Sequence, residues 1–342
     1  MQKFFLFDRR IIDFKKENME FEQNFLNCLK QSKKNAIITH NLPDGDAVGS
    51  AVAIQLILKQ QNISSQIVFT EPMSVSYDYL DLEYILLEKS LLFDNIVVLD
   101  TQESTLLLGY ESLFLNAKNV FVIDHHPAGP NKIEKATFFV KQQCSCTGEI
   151  VDLLFDEIPP LMETEDKKLY AKAIYTSILY DTNGFANLNT TGNIFYLCSK
   201  LCTYGLNPAE VHNDFLLKKP FSHISYLGYV LGGAKLFANG QIALITSLKK
   251  ESSTFGVDSK NPPSSIGFLK GAIGVEIFIH LKQIKECEFR VSLRSDVCNV
   301  KNIANAFNGG GHKRAAGFTI SLSLEETIKR VVNICSKQLE RN

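Results

Sequence analysis

The stretch Asn119-Val-Phe-Val-Ile-Asp124-His125-His126-Pro127 decides how this 342-residue chain is read. An apolar run of strand-like residues ends in an acid and two imidazoles. Two other apolar runs end in the same kind of side chain. They are Ala36-Ile-Ile-Thr-His40-Asn-Leu-Pro-Asp44-Gly-Asp46 and Ile96-Val-Val-Leu-Asp100. A further acid, Asp181, follows the apolar run Ala173–Tyr180. In open α/β sheets, ligands bind beyond the carboxyl ends of the strands. His40, Asp100 and Asp124 each stand at such an end, so the pattern brings them to one site.

Working outward, strands are expected over Asn35–Thr39, Ser65–Thr70, Ile96–Leu99 and Asn119–Ile123, with an edge strand over Phe138–Gln142. Helices are expected over Ala47–Lys59, Tyr79–Lys89, Thr147–Asp156 and Thr164–Tyr180. Small residues Gly49, Ser50, Ala51 and Ala53 let the first of these lie close to its neighbours. This alternation predicts a parallel sheet covered on both faces. Ahead of it, Phe21, Phe25, Leu26 and Leu29 share one helical face, and residues 1–18 read as an appended segment.

Helices over Asn193–Tyr204 and Pro208–Lys218, broken by Lys219-Pro220, suggest a connector. Beyond Gly232-Gly233 and Asn239-Gly240 the pattern turns to strands over Gln241–Ser247, Val275–Leu281, Glu288–Leu293 and Phe318–Ser321. A polar loop is expected over Ser252–Ser265, a short helix over Val300–Phe307 and an amphipathic helix over Leu324–Leu339. The expected fold class is therefore α/β. An N-terminal parallel-sheet domain (19–190) precedes a helical connector (191–235) and a smaller α+β C-terminal domain (236–342).

The net charge is −1, which argues against a partner as long and anionic as extended DNA or RNA. A small or short anionic substrate in a local cationic pocket fits better. None of the eight cysteines forms a CxxC pair, so reduced thiols in a cytoplasmic protein are expected rather than a zinc site. No segment has the apolar length of a membrane span, and no membrane partner is expected.

His40, Asp44, Asp46, Asp100, Asp124, His125, His126 and Asp181 are more ligands than one ion needs. Imidazole and carboxylate without thiolate suit two Mn²⁺ ions, with Mg²⁺ or Co²⁺ as alternatives. Two such ions about 3.5–4 Å apart activate a water and clamp a phosphoryl oxygen. Each piece alone has a plainer reading: Asp-Gly-Asp as a turn, a strand-end Asp as a helix cap, His-His as polar surface. Four of the seven histidines fall in these motifs, counting His312, and that coincidence favours the metal site.

Together the motifs resemble the four motifs of the DHH phosphoesterase superfamily. The run Asn308-Gly309-Gly310-Gly311-His312-Lys-Arg-Ala315-Ala316-Gly317 resembles the signature of its DHHA1 C-terminal domain. In size and layout the chain is similar to the nanoRNase/pAp phosphatase group. The resemblance implies that His40, Asp44 and Asp100 hold one ion while Asp46, Asp100, His125 and Asp181 hold the other, with Asp100 bridging. It implies that Asp124 orients His125 and that His126 contacts the scissile phosphate or the leaving oxygen; Asp124 and His126 are the expected catalytic pair. It also implies that Gly309, Gly310, Gly311 and His312, with Arg294 and Ser295, hold the substrate's terminal phosphate. The glycines alone would read as a helix cap and tight turn. Ser145-x-Thr147-Gly148-Glu149 is expected to cap a helix facing the site.

The implied activity is Mn²⁺-dependent, stepwise hydrolysis of short single-stranded RNA to 5′-mononucleotides, with removal of the 3′-phosphate of 3′-phosphoadenosine 5′-phosphate, by a homodimer. The alternatives are a phosphodiesterase for cyclic or linear dinucleotides, a RecJ-type exonuclease, a family II pyrophosphatase and a non-hydrolytic nucleic-acid-binding module.

Overall fold

Strand register organises the first half of the molecule. The structure, a computed structural model, describes residues 17–258, 263 and 265–340, and the chain divides into two compact units after Lys218. The segment expected as an N-terminal extension lies outside the described residues except for 17 and 18, which are the first described residues of helix α1 (17–30).

In the first unit, six parallel strands run in the order β3-β2-β1-β4-β5-β6. They are β1 (Asn35–Thr39), β2 (Gln66–Phe69), β3 (Tyr84–Leu86), β4 (Asn95–Leu99), β5 (Asn119–Asp124) and β6 (Thr137–Val140). Alternate side chains go to opposite faces of a sheet, and both faces are covered. Ile37, Val97, Leu99, Phe121 and Ile123 join the core under helices α2 (Gly45–Gln60), α4 (Thr147–Leu154) and α5 (Thr164–Asp181). Ala36, Ile38, Ile96, Val98, Val120 and Val122 join the other core, closed by Tyr110 and by Leu113 of the short helix α3 (Glu111–Phe114).

Asn35, Asn95 and Asn119 pair in register at the amino ends of β1, β4 and β5. Their side chains form an amide ladder: Asn119 Nδ2 donates to Asn95 Oδ1, and Asn95 Nδ2 to Asn35 Oδ1, both at 2.7 Å. Asn35 Nδ2 donates in turn to the carbonyls of Leu29, Ser32 and Ser64. The ladder satisfies buried polar groups that would otherwise be costly.

Helices α2 and α5 touch backbone to backbone. A methyl group at Gly49 would overlap the carbonyl oxygen of Ala173, so only glycine permits this approach. Helices α6 (Gly192–Thr203) and α7 (Pro208–His212) supply Ile194, Leu197, Leu201 and Val211 to the same core.

In the first unit, one expected helix is replaced by other structure. Residues 79–89 are not a helix: a 3-10 turn over Val75–Leu80 ends at Asp81, which lies in the left-handed region (φ 45°). Strand β3 then adds to the free edge of β2, with Ile67 opposite Tyr84.

The second unit is a mixed six-stranded sheet in the order β11-β12-β10-β9-β8-β7. Its strands are β7 (Lys235–Phe237), β8 (Ile242–Ser247), β9 (Ile277–Lys285), β10 (Glu288–Arg294), β11 (Gly310–His312) and β12 (Ala315–Ser321). Phe289, Val291 and Leu293 of β10 face a core closed by helices α10 (Val300–Asn305) and α11 (Leu324–Leu339). On the other face, Tyr226 and Val230 of helix α8 (Phe221–Gly232) pack with Ile245. Part of the expected polar loop is helix α9 (Lys249–Thr254); its residues 259–262 and 264 lie outside the described residues.

Candidate metal centre and phosphate pocket

Thr39 pairs with Leu99, and Leu99 with Ile123. The next residues, His40, Asp100 and Asp124, therefore emerge side by side. Asp100 has a positive φ of 63°, a conformation rare outside glycine but tolerated by Asp and Asn. Its amide donates to Ile123 O at 3.0 Å. Strain of this kind gathers at functional sites.

Helices bring the remaining acids. Asp44 is the N-cap of α2, its Oδ1 accepting from the amides of Asp46 (3.0 Å) and Ala47 (3.2 Å). Asp46 lies in the first turn and is fully buried. Its carboxylate accepts from Thr147 N (2.7 Å), Gly148 N (3.1 Å), Ser50 Oγ (3.1 Å) and Ser177 Oγ (2.5 Å). The amides come from the start of α4, where free N–H groups favour an anion. Asp181 is the last residue of α5.

The side chains converge as two sets. His40 Nε2 is 3.6 Å from both Asp44 Oδ2 and Asp100 Oδ2. On the other side, His125 Nε2 is 2.9 Å from Asp181 Oδ2, 3.6 Å from Asp46 Oδ2 and 3.7 Å from Asp100 Oδ1. One oxygen of Asp100 thus faces each set. Candidate ligand atoms of His40, Asp44 and Asp100 lie within 4.8 Å of one another, as do those of Asp46, His125 and Asp181, and those of Asp100, Asp124, His125 and His126 form a third such group between them.

Asp124 is fully buried and serves His126 rather than His125. Its Oδ1 is 2.9 Å from His126 Nδ1 and accepts from the His126 amide at 3.1 Å. The orienting contact that was expected for His125 is absent among the hydrogen bonds of the described residues. Gln102 Nε2 donates to Asp124 Oδ2 (3.3 Å) and to His126 O (2.7 Å), locking the pair.

Charge crowding shows in the acidities. Burial, then the neighbouring Asp181, raises the Asp46 carboxyl. Burial, then Asp46 and Asp44, raises Asp100 well above the usual range. Burial pulls His125 down, but contact with Asp181 and the charge of Asp46 outweigh it and bring it to about 9. The bond to Asp124 raises His126.

Five carboxylates converge here, and among the described residues their ion pairs are with histidines. His125 Nε2 is buried without a well-directed hydrogen bond, although Asp181 Oδ2 is close. An acidic crowd around an unbonded imidazole nitrogen suits divalent cations, which offset the repulsion. The residues fit the metal they imply.

In the second unit, a concavity of about 450 Å³ is lined by Arg290, Ser292 and Arg294 of β10 and by Gly310, Gly311 and Gly317 across the β11–β12 hairpin. Gly311 has φ 132°, and a Cβ at Gly309 would overlap Gly317 O. The hairpin can close only without side chains there. His312 is exposed at its tip, opposite Ala315. Ser295 stands apart: it is 3% exposed, and its Oγ accepts from the amides of Val297 and Cys298.

Residues 34–179 match the DHH family N-terminal domain, and residues 243–340 match the DHHA1 domain. The chain is 30% identical over 310 residues to the bifunctional oligoribonuclease and PAP phosphatase NrnA of Thermus thermophilus, covering 89% of this chain and 90% of that protein. The chain belongs to the DHH family of phosphoesterases. It is a hydrolase with both domains of that family. The NrnA protein of Bacillus subtilis is 25% identical over 289 residues, covering 82% of this chain and 87% of that one. An exopolyphosphatase-related protein from Bacteroides fragilis shares the fold, with a TM-score of 0.81 at 22% identity over 94% of this chain and 98% of that one.

Two residues that hold the DHH motifs in place, Gln102 and Ser177, carried no signal in the sequence. Gln102 follows a strand two residues after Asp100. Ser177 sits mid-helix. Thr147, read as part of a helix cap, donates through Oγ1 to Asp100 Oδ1 at 3.0 Å. Arg290 was legible only as a strand residue. Among the described residues, no helix is long and apolar enough to cross a membrane.

Proposed function

We propose that this protein is a manganese-dependent two-metal phosphodiesterase. It hydrolyses short RNA oligonucleotides stepwise to 5′-mononucleotides and removes the 3′-phosphate of 3′-phosphoadenosine 5′-phosphate. The observation that carries the reading is the pair of ligand sets sharing Asp100: His40 with Asp44 on one side, Asp46 with His125 and Asp181 on the other. The NrnA relatives support the substrate class. The near-neutral net charge agrees with a short substrate.

When bound, two ions would lower the pKa of water and neutralise charge on the phosphoryl oxygens. The chain's own residues do the rest. Asp46, fixed by four hydrogen bonds, and Asp100, fixed by Thr147, cannot swing away from their ligand positions. His126, half-exposed and backed by Asp124 at Nδ1, has Nε2 left for the substrate. There it binds the phosphoryl oxygen or gives a proton to the leaving oxygen, with Asp124 stabilising the imidazolium. Arg294 and the amides of the glycine hairpin supply donors for the substrate's terminal phosphate.

The test is a time course with Mn²⁺ on a 5′-labelled RNA dinucleotide and pentanucleotide, beside 3′-phosphoadenosine 5′-phosphate and a cyclic dinucleotide. The reading expects mononucleotides from both RNAs and none with Asp100→Asn. Cleavage of the cyclic dinucleotide alone would move the substrate to signalling nucleotides. No cleavage with any divalent ion would remove the enzymatic reading altogether.

A further inference from the structure

Beyond Arg294, the open face of β10 carries a second guanidinium. Phe289, Val291 and Leu293 point into the core, so Arg290, Ser292 and Arg294 share the opposite face. Arg290 is exposed; Ser292 and Arg294 are half-buried. Among the described residues, neither guanidinium has a carboxylate within ion-pair distance. The hydrogen bond Arg294 makes is to the carbonyl of its neighbour Leu293. Arg290 pairs in register with Thr319 on one side and Lys282 on the other. The two charges repel, and Lys282 is lowered by burial and then by Arg290, with Asp258 acting in the opposite sense. An exposed arginine beside a second cation, in a concavity that also holds Arg294, is arranged for an anion.

The spacing identifies which anion. Alternate residues of a strand repeat at about 7 Å, a length comparable to the step between phosphates of an extended single strand. Arg290 is two such repeats from Arg294. We propose that Arg290 is a length-sensing contact: it takes a backbone phosphate that a dinucleotide does not possess, while Arg294 serves substrates of every length. The proposal rests on the oligonucleotide reading above for its ligand. Planar guanidinium forks suit phosphate, and exposed ones act through charge-assisted hydrogen bonds.

The experiment compares Arg290→Ala and Arg290→Lys with the unmodified full chain, after circular dichroism has shown that each is folded. With Mn²⁺, kcat/KM is measured on RNA dinucleotide and pentanucleotide. In parallel, binding of the same fluorescein-labelled oligonucleotides is followed by anisotropy in an Asp100→Asn background. Arg290→Ala should lower the pentanucleotide-to-dinucleotide ratio of kcat/KM about tenfold. It should also flatten the salt dependence of pentanucleotide binding by about 0.7 in log–log slope. Arg290→Lys should restore the slope but only part of the affinity. Equal losses at both lengths, no loss at either, or no pentanucleotide binding to begin with would overturn the proposal. The two readings separate cleanly. A length-dependent binding loss in a protein that cleaves no RNA leaves Arg290's role standing and removes the function above. RNA cleavage without length dependence does the reverse.

Discussion

The two ends of strands β1, β4 and β5 share one register and carry opposite chemistry. At the amino ends, Asn35, Asn95 and Asn119 are neutral and mutually hydrogen-bonded. At the carboxyl ends, His40, Asp100 and Asp124 are crowded with further acids, and Asp100 has a left-handed backbone. The amino end satisfies its polar groups internally and adds stability. The carboxyl end concentrates unbalanced charge that a bound cation would offset. The contrast shows where this fold stores stability and where it gives stability up for chemistry.

The largest expected effect is at Asp100. Asp100→Asn keeps a residue that tolerates positive φ, yet removes the oxygen charge that faces both ligand sets. Activity should fall at least about a thousandfold, equivalent to about 4 kcal/mol. Metal-free stability should rise by about 1 kcal/mol, because a buried like charge is gone. Thermal melts in EDTA and a turnover assay read the two effects; a metal-free protein destabilised by the change would contradict the charge-crowding account.

Asn95→Ala addresses the other end. It breaks both rungs of the ladder and leaves Asn35 Oδ1 buried without its partner, so unfolding free energy should drop by about 3 kcal/mol. The turnover of the folded fraction should stay within about twofold. A large loss of turnover with little loss of stability would erase the distinction between the ends.

Metal should reverse the imbalance at the carboxyl end. Mn²⁺ at a hundredfold excess over its Kd should stabilise the native state by about 2.7 kcal/mol, with EDTA removing the gain. The same titration on Asp100→Asn should show a much smaller rise. Equal stabilisation of both proteins would place the ion elsewhere.

The smallest effect concerns Gln102, which bonds Asp124 and the carbonyl of His126. Gln102→Ala should reduce kcat about tenfold, about 1.4 kcal/mol, with KM little changed, since it frees His126 to turn. A change confined to KM would mean that Gln102 acts on substrate binding instead.

Much of the first unit could be read from the chain because its strands are buried on both faces and end abruptly in charge. Strands β1, β4 and β5 fall within one residue of expectation, and α5 delivers Asp181 as its last residue. Residues 79–89 misled because apolar residues at helical spacing also suit a half-exposed edge strand, and no local rule foretells that Asp81 turns left-handed. Strand β11 is glycine-rich, so no side-chain pattern marks it; pairing with β12 alone makes it a strand. The candidate ligands were legible because metal chemistry limits residue types. Their supports Gln102 and Ser177 were not, since a single hydrogen-bonding side chain has no spacing rule; Thr147 was legible only as part of a helix cap. Ser295 was named beside Arg294, but alternation along β10 sends Ser292 to the open face, and Ser295 caps a turn.

At Gly49 the main chains of α2 and α5 meet with no side chain between them. Asp46 rides on the first of these helices and Asp181 on the second. The separation of these two carboxylates is therefore gauged by backbone, in the manner of a fixed jaw rather than a flexible grip. An ion of the wrong radius would have to move a helix to be accommodated, which turns one glycine, a helical turn from Asp46, into a calibration point for cation size.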